Sequence, residues 1–272
     1  LSHAGNLMPS SVFVESPHRI LVGDVALNEA QRNPAGFLPA PKRLVGQPAV
    51  VVNGFQIATA EPIAAVIWNV LQRALAAHAG RPPSHVVLTH PEAWSPAQIQ
   101  VLSAAAAQAG IDPGRITTIS EPRAAAHQYG RSHALRSGQK IAVFDFGGGT
   151  LDVAVLTVGD DGAFRVIAAR GDNGIGGKNL DLLIHRWVDE QLDSRDPRLR
   201  DYLQRGAPLE VRQGLDDSIR RAKELLSEAP SATITVSGPG VRQTLQITRD
   251  EFEEMIEPVL DRAIALTRAT LL

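Results

Sequence analysis

Apolar positions along this chain keep two rhythms that alternate. Short runs dense in apolar and β-branched residues stand at 10–14, 19–22, 49–57, 86–88 and 115–119, and each reads as a strand. Elsewhere the spacing lengthens. Ile63, Val66, Ile67, Val70, Leu71, Leu75 and Ala76 recur at helical intervals up to a stop at Gly80. Ser95-Pro96-Ala97-Gln98 supplies an N-cap serine, a proline in the first helical position and a glutamine for a capping box, so a helix starts there and ends at Gly110. Ser120-Glu121-Pro122 opens another alanine-rich helix. The order strand, helix, strand, helix argues for an α/β sheet. Residues 33–48 carry too many prolines for any regular element and read as loop with short helical pieces.

From Lys140 onward the pattern changes. Strands at 141–144, 151–158 and 164–169 are separated by Gly147-Gly148-Gly149 and by Asp160-Asp161-Gly162, which predicts an antiparallel meander of three strands. A glycine-rich loop, Gly171 to Gly177, leads into a helix from about Leu180. Two further helices, 208–228 and 249–270, are separated by a hairpin of 233–236 with 243–247, and Thr248 with Glu251 forms a capping box for the last.

Composition narrows the function classes. Of 272 residues, 27 are Lys or Arg against 29 Asp or Glu, a net charge of -2 that gives no basic field for nucleic acid or anionic lipid. An apolar content of 44% is too high for a disordered chain, and the absence of cysteine excludes disulfides, thiol chemistry and Cys-ligated zinc. No apolar run is long enough to span a membrane, and no signal segment is seen. The eight histidines show no metal-ligand spacing. The compartment expected from this is the cytoplasm.

Chemistry concentrates in a few places. Three consecutive glycines in Phe144-Asp145-Phe146-Gly147-Gly148-Gly149-Thr150-Leu151-Asp152 remove every Cβ from the turn, so backbone N–H groups can close on an anion as a nest; the alternative is a mobile hairpin. Asp145 and Asp152 flank it with carboxylates suited to a hydrated Mg²⁺, and the Thr150 hydroxyl can reach a phosphate oxygen or water. The turn joins two strands and lacks Gly-Lys-Ser/Thr, so it is not a P-loop. Gly176 and Gly177 precede a helix, where exposed N–H groups favour phosphate, although such loops are common. Glu121 is either a water- or metal-orienting carboxylate or an ordinary helix-start acid. Lys42, on a proline-constrained loop, is either a surface lysine or a point charge for a phosphate. Lys223, Glu224 and Ser227 lie near the end of an amphipathic helix, whose default reading is a solvated face.

The order and spacing of these segments carry more than any one of them. Lys42-Arg43-Leu44-Val45-Gly46, then Ile119-Ser120-Glu121-Pro122-Arg123-Ala124-Ala125-Ala126, then the glycine hairpin, then Gly171-Asp172 through Gly176-Gly177 to Asp181 resembles the DnaK-like seventy-kilodalton heat-shock chaperone family. The likeness covers nearly the whole chain and falls on that family's nucleotide-binding, ATPase domain. It implies the actin-like (ribonuclease H-like) α/β fold, with two lobes around a cleft for ATP or ADP and Mg²⁺. Residues 1–139 would form most of the first lobe and 140–272 the second. It further implies that Gly147, Gly148, Gly149 and Thr150 are a phosphate loop, that Asp145 holds metal-bound water with Asp152 assisting, and that Lys42 and Glu121 serve the γ-phosphate and its water. Gly176 and Gly177 would approach phosphate or ribose, and Arg220, Lys223 and Ser227 would flank the adenosine. Client peptides and co-chaperones of a bacterial stress-response protein are the implied partners, through regions outside this chain.

Departures from the family pattern are expected to matter. The family's Asp-Leu-Gly-Thr-Thr hairpin and its last adenosine loop are not found, so the chain reads as a fragment incomplete at both ends that binds ATP poorly. Thr89-His90-Pro91-Glu92 stands for Val-Pro-Ala-Tyr/Phe, Ile99 for a signalling arginine and Arg220 for a ribose-bonding glutamate. These leave a second reading, a non-hydrolysing actin-like sensor or scaffold. An actin-like sugar kinase is disfavoured by the lack of a sugar-site signature.

Overall fold

The computed structural model describes residues 8–172 and 174–272. The polar lead, residues 1–7, and Asn173 of the second glycine loop lie outside the described residues. The chain divides into two compact units between Ala124 and Ala125.

In the first unit, β1 (Val12–Ser16) and β2 (Arg19–Val22) form a hairpin about Pro17-His18. A polar helix, α1 (Asp24–Arg32), follows, and β3 (Phe37–Leu38) returns to the other edge of β1, giving the order β2-β1-β3. The sequence pattern did not reveal α1, because its buried side is made of Ala26 and Ala30, too small to draw an apolar stripe. Two short 3₁₀ turns, Pro34–Gly36 and Pro41–Leu44, occupy the proline-rich stretch. The run 49–57, read as one strand, is a hairpin of β4 (Ala49–Val52) and β5 (Phe55–Ala58). Asn53 and Gly54 reverse it with φ of 52° and 80°, the pair of left-handed residues a two-residue turn needs.

Next come α2 (Ala60–Ala77), β6 (Val86–His90), α3 (Pro96–Gln108), β7 (Ile116–Ser120) and α4 (Glu121–Ser132). Strands β6 and β7 run parallel with α3 as their crossover, as the strand–helix order required, and His90 lies opposite Ser120. Leu88 packs against Val45, Ile63, Leu102 and Ala105, whereas Val87 on the opposite face is 55% exposed, so β6 is buried on one side only.

The second unit holds the expected meander: β8 (Lys140–Phe146), β9 (Leu151–Val158) and β10 (Phe164–Asp172), in the order β10-β9-β8. Helices α5 (Gly177–Arg195), α6 (Pro197–Arg205) and α7 (Leu209–Leu225) follow, then the hairpin β11 (Ser231–Gly238) with β12 (Val241–Thr248), then α8 (Arg249–Leu271). The α5 helix begins three residues earlier than expected, and α6 is an addition, with Asp196 capping it and Leu199 and Leu203 buried. The central strand β9 is covered on both faces. Leu151 and Val153 pack with Ile175 and Ala263, the latter on α8, while Ala154 and Leu156 pack with Ala126 of α4. That double burial explains its nearly unbroken apolar run. A larger core of Ile184, Leu192, Ile219, Leu226, Ile234 and Leu245 joins α5 and α7 to the β11–β12 hairpin.

Candidate functional site

The candidate residues form two clusters, one in each unit. In the first unit, Lys42 sits on the 3₁₀ turn Pro41–Leu44, whose carbonyl Lys42 O accepts from Val45 N–H at 3.3 Å. Glu121 is the first residue of α4, directly after the C-terminal end of β7, where a carboxylate is favoured by the helix dipole. The Lys42 ammonium donates a short hydrogen bond to Glu121 Oε1, closing an ion pair between residues far apart in sequence, with side chains 54% and 27% exposed. Lys42 and Glu121, read separately from the sequence, thus touch each other directly.

Trp94, which the sequence reading did not single out, and His90, which it quoted only as a departure from the family pattern, complete this cluster. The Trp94 ring lies with its centroid 5.9 Å from Lys42 Nζ, and the His90 ring lies parallel to it at 6.3 Å. Gln98 uses both ends of its amide: Oε1 accepts from Ser95 N–H at 3.0 Å in the capping box of α3, and Nε2 donates to Val45 O at 3.2 Å. The first turn of α3 thus clasps the turn that carries Lys42. Nearby, Glu92 and Arg123 approach to 3.9 Å, and Ser120 Oγ and Glu92 Oε2 are buried without a hydrogen bond among the described residues. These groups gather at the C-terminal ends of β6 and β7, the edge at which parallel α/β sheets receive ligands.

In the second unit, Asp145 and Asp152 are paired across β8 and β9, so both carboxylates leave the same face of the hairpin. Thr150 Oγ1 donates to Asp152 Oδ2 at 3.0 Å, and Gly147 N–H closes the turn on Thr150 O at 2.8 Å. Gly171 lies opposite Asp152, and a Cβ there would stand 2.6 Å from its Oδ1, so a side chain at 171 would displace that carboxylate. The amides of Gly148, Gly149 and Thr150 have no backbone acceptor among the described residues.

The second glycine loop is locked onto this turn. Gly177 N–H donates to Gly147 O at 3.0 Å, and Lys178 N–H to Gly148 O at 2.8 Å. A Cβ on Gly176 would fall 2.6–2.8 Å from the backbone of Gly149, so the two loops touch main chain to main chain. Gly177 therefore spends its amide inside the protein. Lys223 reaches the same place from α7, donating to Gly177 O at 3.1 Å and pairing with Asp181 at 2.7 Å, with its side chain only 17% exposed. Arg220 points elsewhere, pairing with Asp217 on its own helix at 2.8 Å, and Ser227 lines an open groove of about 590 Å³ with Arg249, Phe252 and Glu257. Asp172 anchors the loop's start. It accepts from Gly174 N–H and from Arg262 on α8, both at 2.7 Å, and these bonds, the backbone one foremost, hold its carboxyl below the usual range.

The donor set fits a bound polyphosphate with a hydrated divalent ion. Free successive amides and an open side at Gly148, where a Cβ would meet nothing within 4 Å, leave room for an anion. Among the described residues no group of three His, Cys, Asp or Glu side chains could hold a bare metal ion, so an ion here would keep most of its water, as Mg²⁺ does.

The family model described as Hsp70 protein matches residues 47–272. The chain belongs to the Hsp70 family. The Chaperone protein DnaK of Thermoplasma acidophilum is 33% identical over 274 residues, covering 96% of this chain and 42% of that protein. Those of Picrophilus torridus and Elusimicrobium minutum are 33% and 30% identical, each again covered over 42% of its length. The chain thus spans about two fifths of the curated relatives it matches. As an Hsp70 domain it has the family's actin-like α/β ATPase fold, and Hsp70 proteins bind ATP or ADP with Mg²⁺. Among the described residues no helix is long and apolar enough to cross a membrane.

Proposed function

We propose that this chain is a nucleotide-binding domain of a DnaK-like chaperone, and that the intact protein carrying it binds ATP and ADP with Mg²⁺ and hydrolyses ATP to ADP and phosphate. The observation that supports this most is the pair of interlocked glycine loops, which keeps three amides free beside the paired carboxylates Asp145 and Asp152. Gly147, Gly148, Gly149 and Thr150 would cradle phosphate oxygens through backbone N–H groups, and Asp145, exposed and opposite Asp152, would hold the water shell of Mg²⁺. When bound, Mg²⁺ supplies charge neutralisation to the phosphate oxygens. In this reading Lys42 would serve the transferred phosphoryl group with its positive charge, its ammonium held by Glu121. Asp152 orients the Thr150 hydroxyl. Such a site acts by positioning and electrostatics, because phosphoryl transfer needs stabilised charge more than covalent help. Lys223 would support the nucleotide side of the site through α5 rather than by touching the nucleotide, while Ser227 and Arg220 would lie nearer the adenosine.

In this reading residues 1–139 supply most of one lobe of the domain and residues 140–272 the other. The partners are unfolded client peptides and co-chaperones, and the setting is the cytoplasm of a bacterium.

Single-turnover hydrolysis of ATP by the full protein, measured beside Lys42→Ala, tests this. Wild-type turnover with a large loss in Lys42→Ala and retained nucleotide binding is expected. Binding without turnover in the wild type would instead make the domain a nucleotide sensor.

A further inference from the structure

We propose that Trp94 is a positioning residue for Lys42, holding the ammonium over its ring so that the lysine presents one conformation. The proposal rests on the reading of Lys42 as the charge that serves the phosphoryl group. A lysine has four flexible methylene bonds, and this one is half exposed, where a single ion pair to Glu121 restrains it weakly. The Trp94 ring centroid at 5.9 Å from Nζ lies within the range at which an indole face attracts a cation, and indole is the strongest of the aromatic faces. Glu121 and Trp94 together hold the ammonium through two different interactions.

What makes Trp94 able to position anything is that its own place is fixed. Its N–H donates to Pro91 O at 3.2 Å, which closes the turn between β6 and α3, and the next residue, Ser95, caps α3. Its ring packs against the cluster of Val45, Leu102 and Ala105, and stacks on buried His90. His90 is itself tied down, its Nδ1 lying 2.8 Å from Pro91 O. Gln98 then holds Val45 O, three residues beyond Lys42. The ring is therefore the fixed partner and the lysine the adjustable one. Trp94 stands off the reacting atoms and acts only through Lys42.

Selective ¹³C labelling of lysine in the full protein reads this contact, with the Lys42 ε-methylene signal identified by its loss in Lys42→Arg; Lys42 is one of only four lysines in this sequence, with Lys140, Lys178 and Lys223. Ring current from Trp94 displaces the Lys42 signal upfield. The expected result is that Trp94→Leu returns it to the position of a free lysine, while Trp94→Phe, which keeps an aromatic face, retains part of the shift. In single-turnover assays of the full protein, Trp94→Leu should lower the hydrolysis rate by about two- to five-fold with ATP affinity unchanged, the loss expected for one cation–π contact, and Trp94→Phe should recover most of it. Circular dichroism establishes that each variant is folded, and Trp94→Phe serves should Trp94→Leu not be. A Lys42 signal indifferent to Trp94 overturns the proposal, as does a hydrolysis rate that Trp94→Leu leaves unchanged. A wild-type protein without turnover but with the Lys42 signal shifted overturns the ATPase reading instead, and with it the catalytic purpose of the contact, so the two failures are separable.

Discussion

Gly176 and Gly148 are both glycines of the candidate site, and they are glycine for different reasons. At Gly176 the backbone is extended, so no special conformation demands glycine, but an added Cβ would sit 2.6–2.8 Å from three main-chain atoms of Gly149. Main chain cannot step aside, so Gly176→Ala should cost about 1–3 kcal/mol, read as a fall in the urea midpoint. At Gly148 the added methyl would meet nothing within 4 Å, so Gly148→Ala should leave the midpoint within error. If the hairpin grips polyphosphate, the same methyl crowds the space an anion would fill. ATP affinity by calorimetry should then drop in Gly148→Ala while stability holds, a split that a purely structural hairpin would not give. The sequence showed where such residues stand but not how each is used. The glycine triplet and its flanking acids were legible because three consecutive glycines stand at only one place in the sequence. Lys223 was noticed as well, yet its contact with Gly177 O and Asp181 depends on where α7 crosses α5, which no local pattern encodes. Trp94 was not, since a tryptophan beside a helix start reads as packing.

The two capping boxes show how much of an element is written locally. Both Ser95 with Gln98 and Thr248 with Glu251 are formed as their spacing requires. Thr248→Ala should cost about 1 kcal/mol of stability at neutral pH. Glu251 adds a pH dependence. Its carboxylate accepts from the N–H of Thr248 at 2.8 Å and from its hydroxyl at 2.7 Å, and these bonds lower its pKa from the ordinary 4.5. A carboxyl with a lowered folded pKa stabilises the protein above its ordinary value, and that contribution fades as pH falls through the lower folded value. Glu251→Gln keeps an acceptor oxygen, so it should match the wild type less well at pH 7 and more closely at pH 3, which urea titrations at both pH values would read. Gln98→Ala removes the reciprocal half of the capping box, the bond from Ser95 N–H, together with the bond to Val45 O, so it should loosen the Lys42 turn as well as the start of α3, visible as faster amide exchange at Val45 and Gln47. Elements with strong caps or apolar stripes were legible; α1 and α6 were not. The buried side of α1 is two alanines, and α6 places only Leu199 and Leu203 inside among charged neighbours, although Asp196-Pro197 marks its start. The Asn53-Gly54 turn was the clearer omission, because that dipeptide between apolar runs is a strong hairpin signal.

At the scale of the whole molecule, the alternation of strands and helices named the fold class, and the order of motifs named the family, but the division into compact units was not legible as a number. A sequence can mark a change of rhythm at Lys140, whereas the division between Ala124 and Ala125 falls inside α4, a helix that reads as uninterrupted. Burial explains why. Each hydrophobic cluster draws its residues from one unit alone: Val14, Val52 and Ile57 in the first, Ile184, Ile219 and Ile234 in the second. Contact partners decide such a boundary, and partners distant in sequence leave no local trace. The consequence is testable by hydrogen exchange. Ile57 and Ile219 are both fully buried, so Ile57→Ala and Ile219→Ala should each cost about 2–5 kcal/mol through lost burial and an unfilled cavity. If each cluster stabilises its own unit, Ile57→Ala should speed exchange in β1, β4 and β5 and leave β11 and β12 protected as in the wild type, with Ile219→Ala giving the reverse. A uniform acceleration across both units in either variant would mean that the domain opens as one cooperative body, and that the separate clusters do not mark separate units of stability.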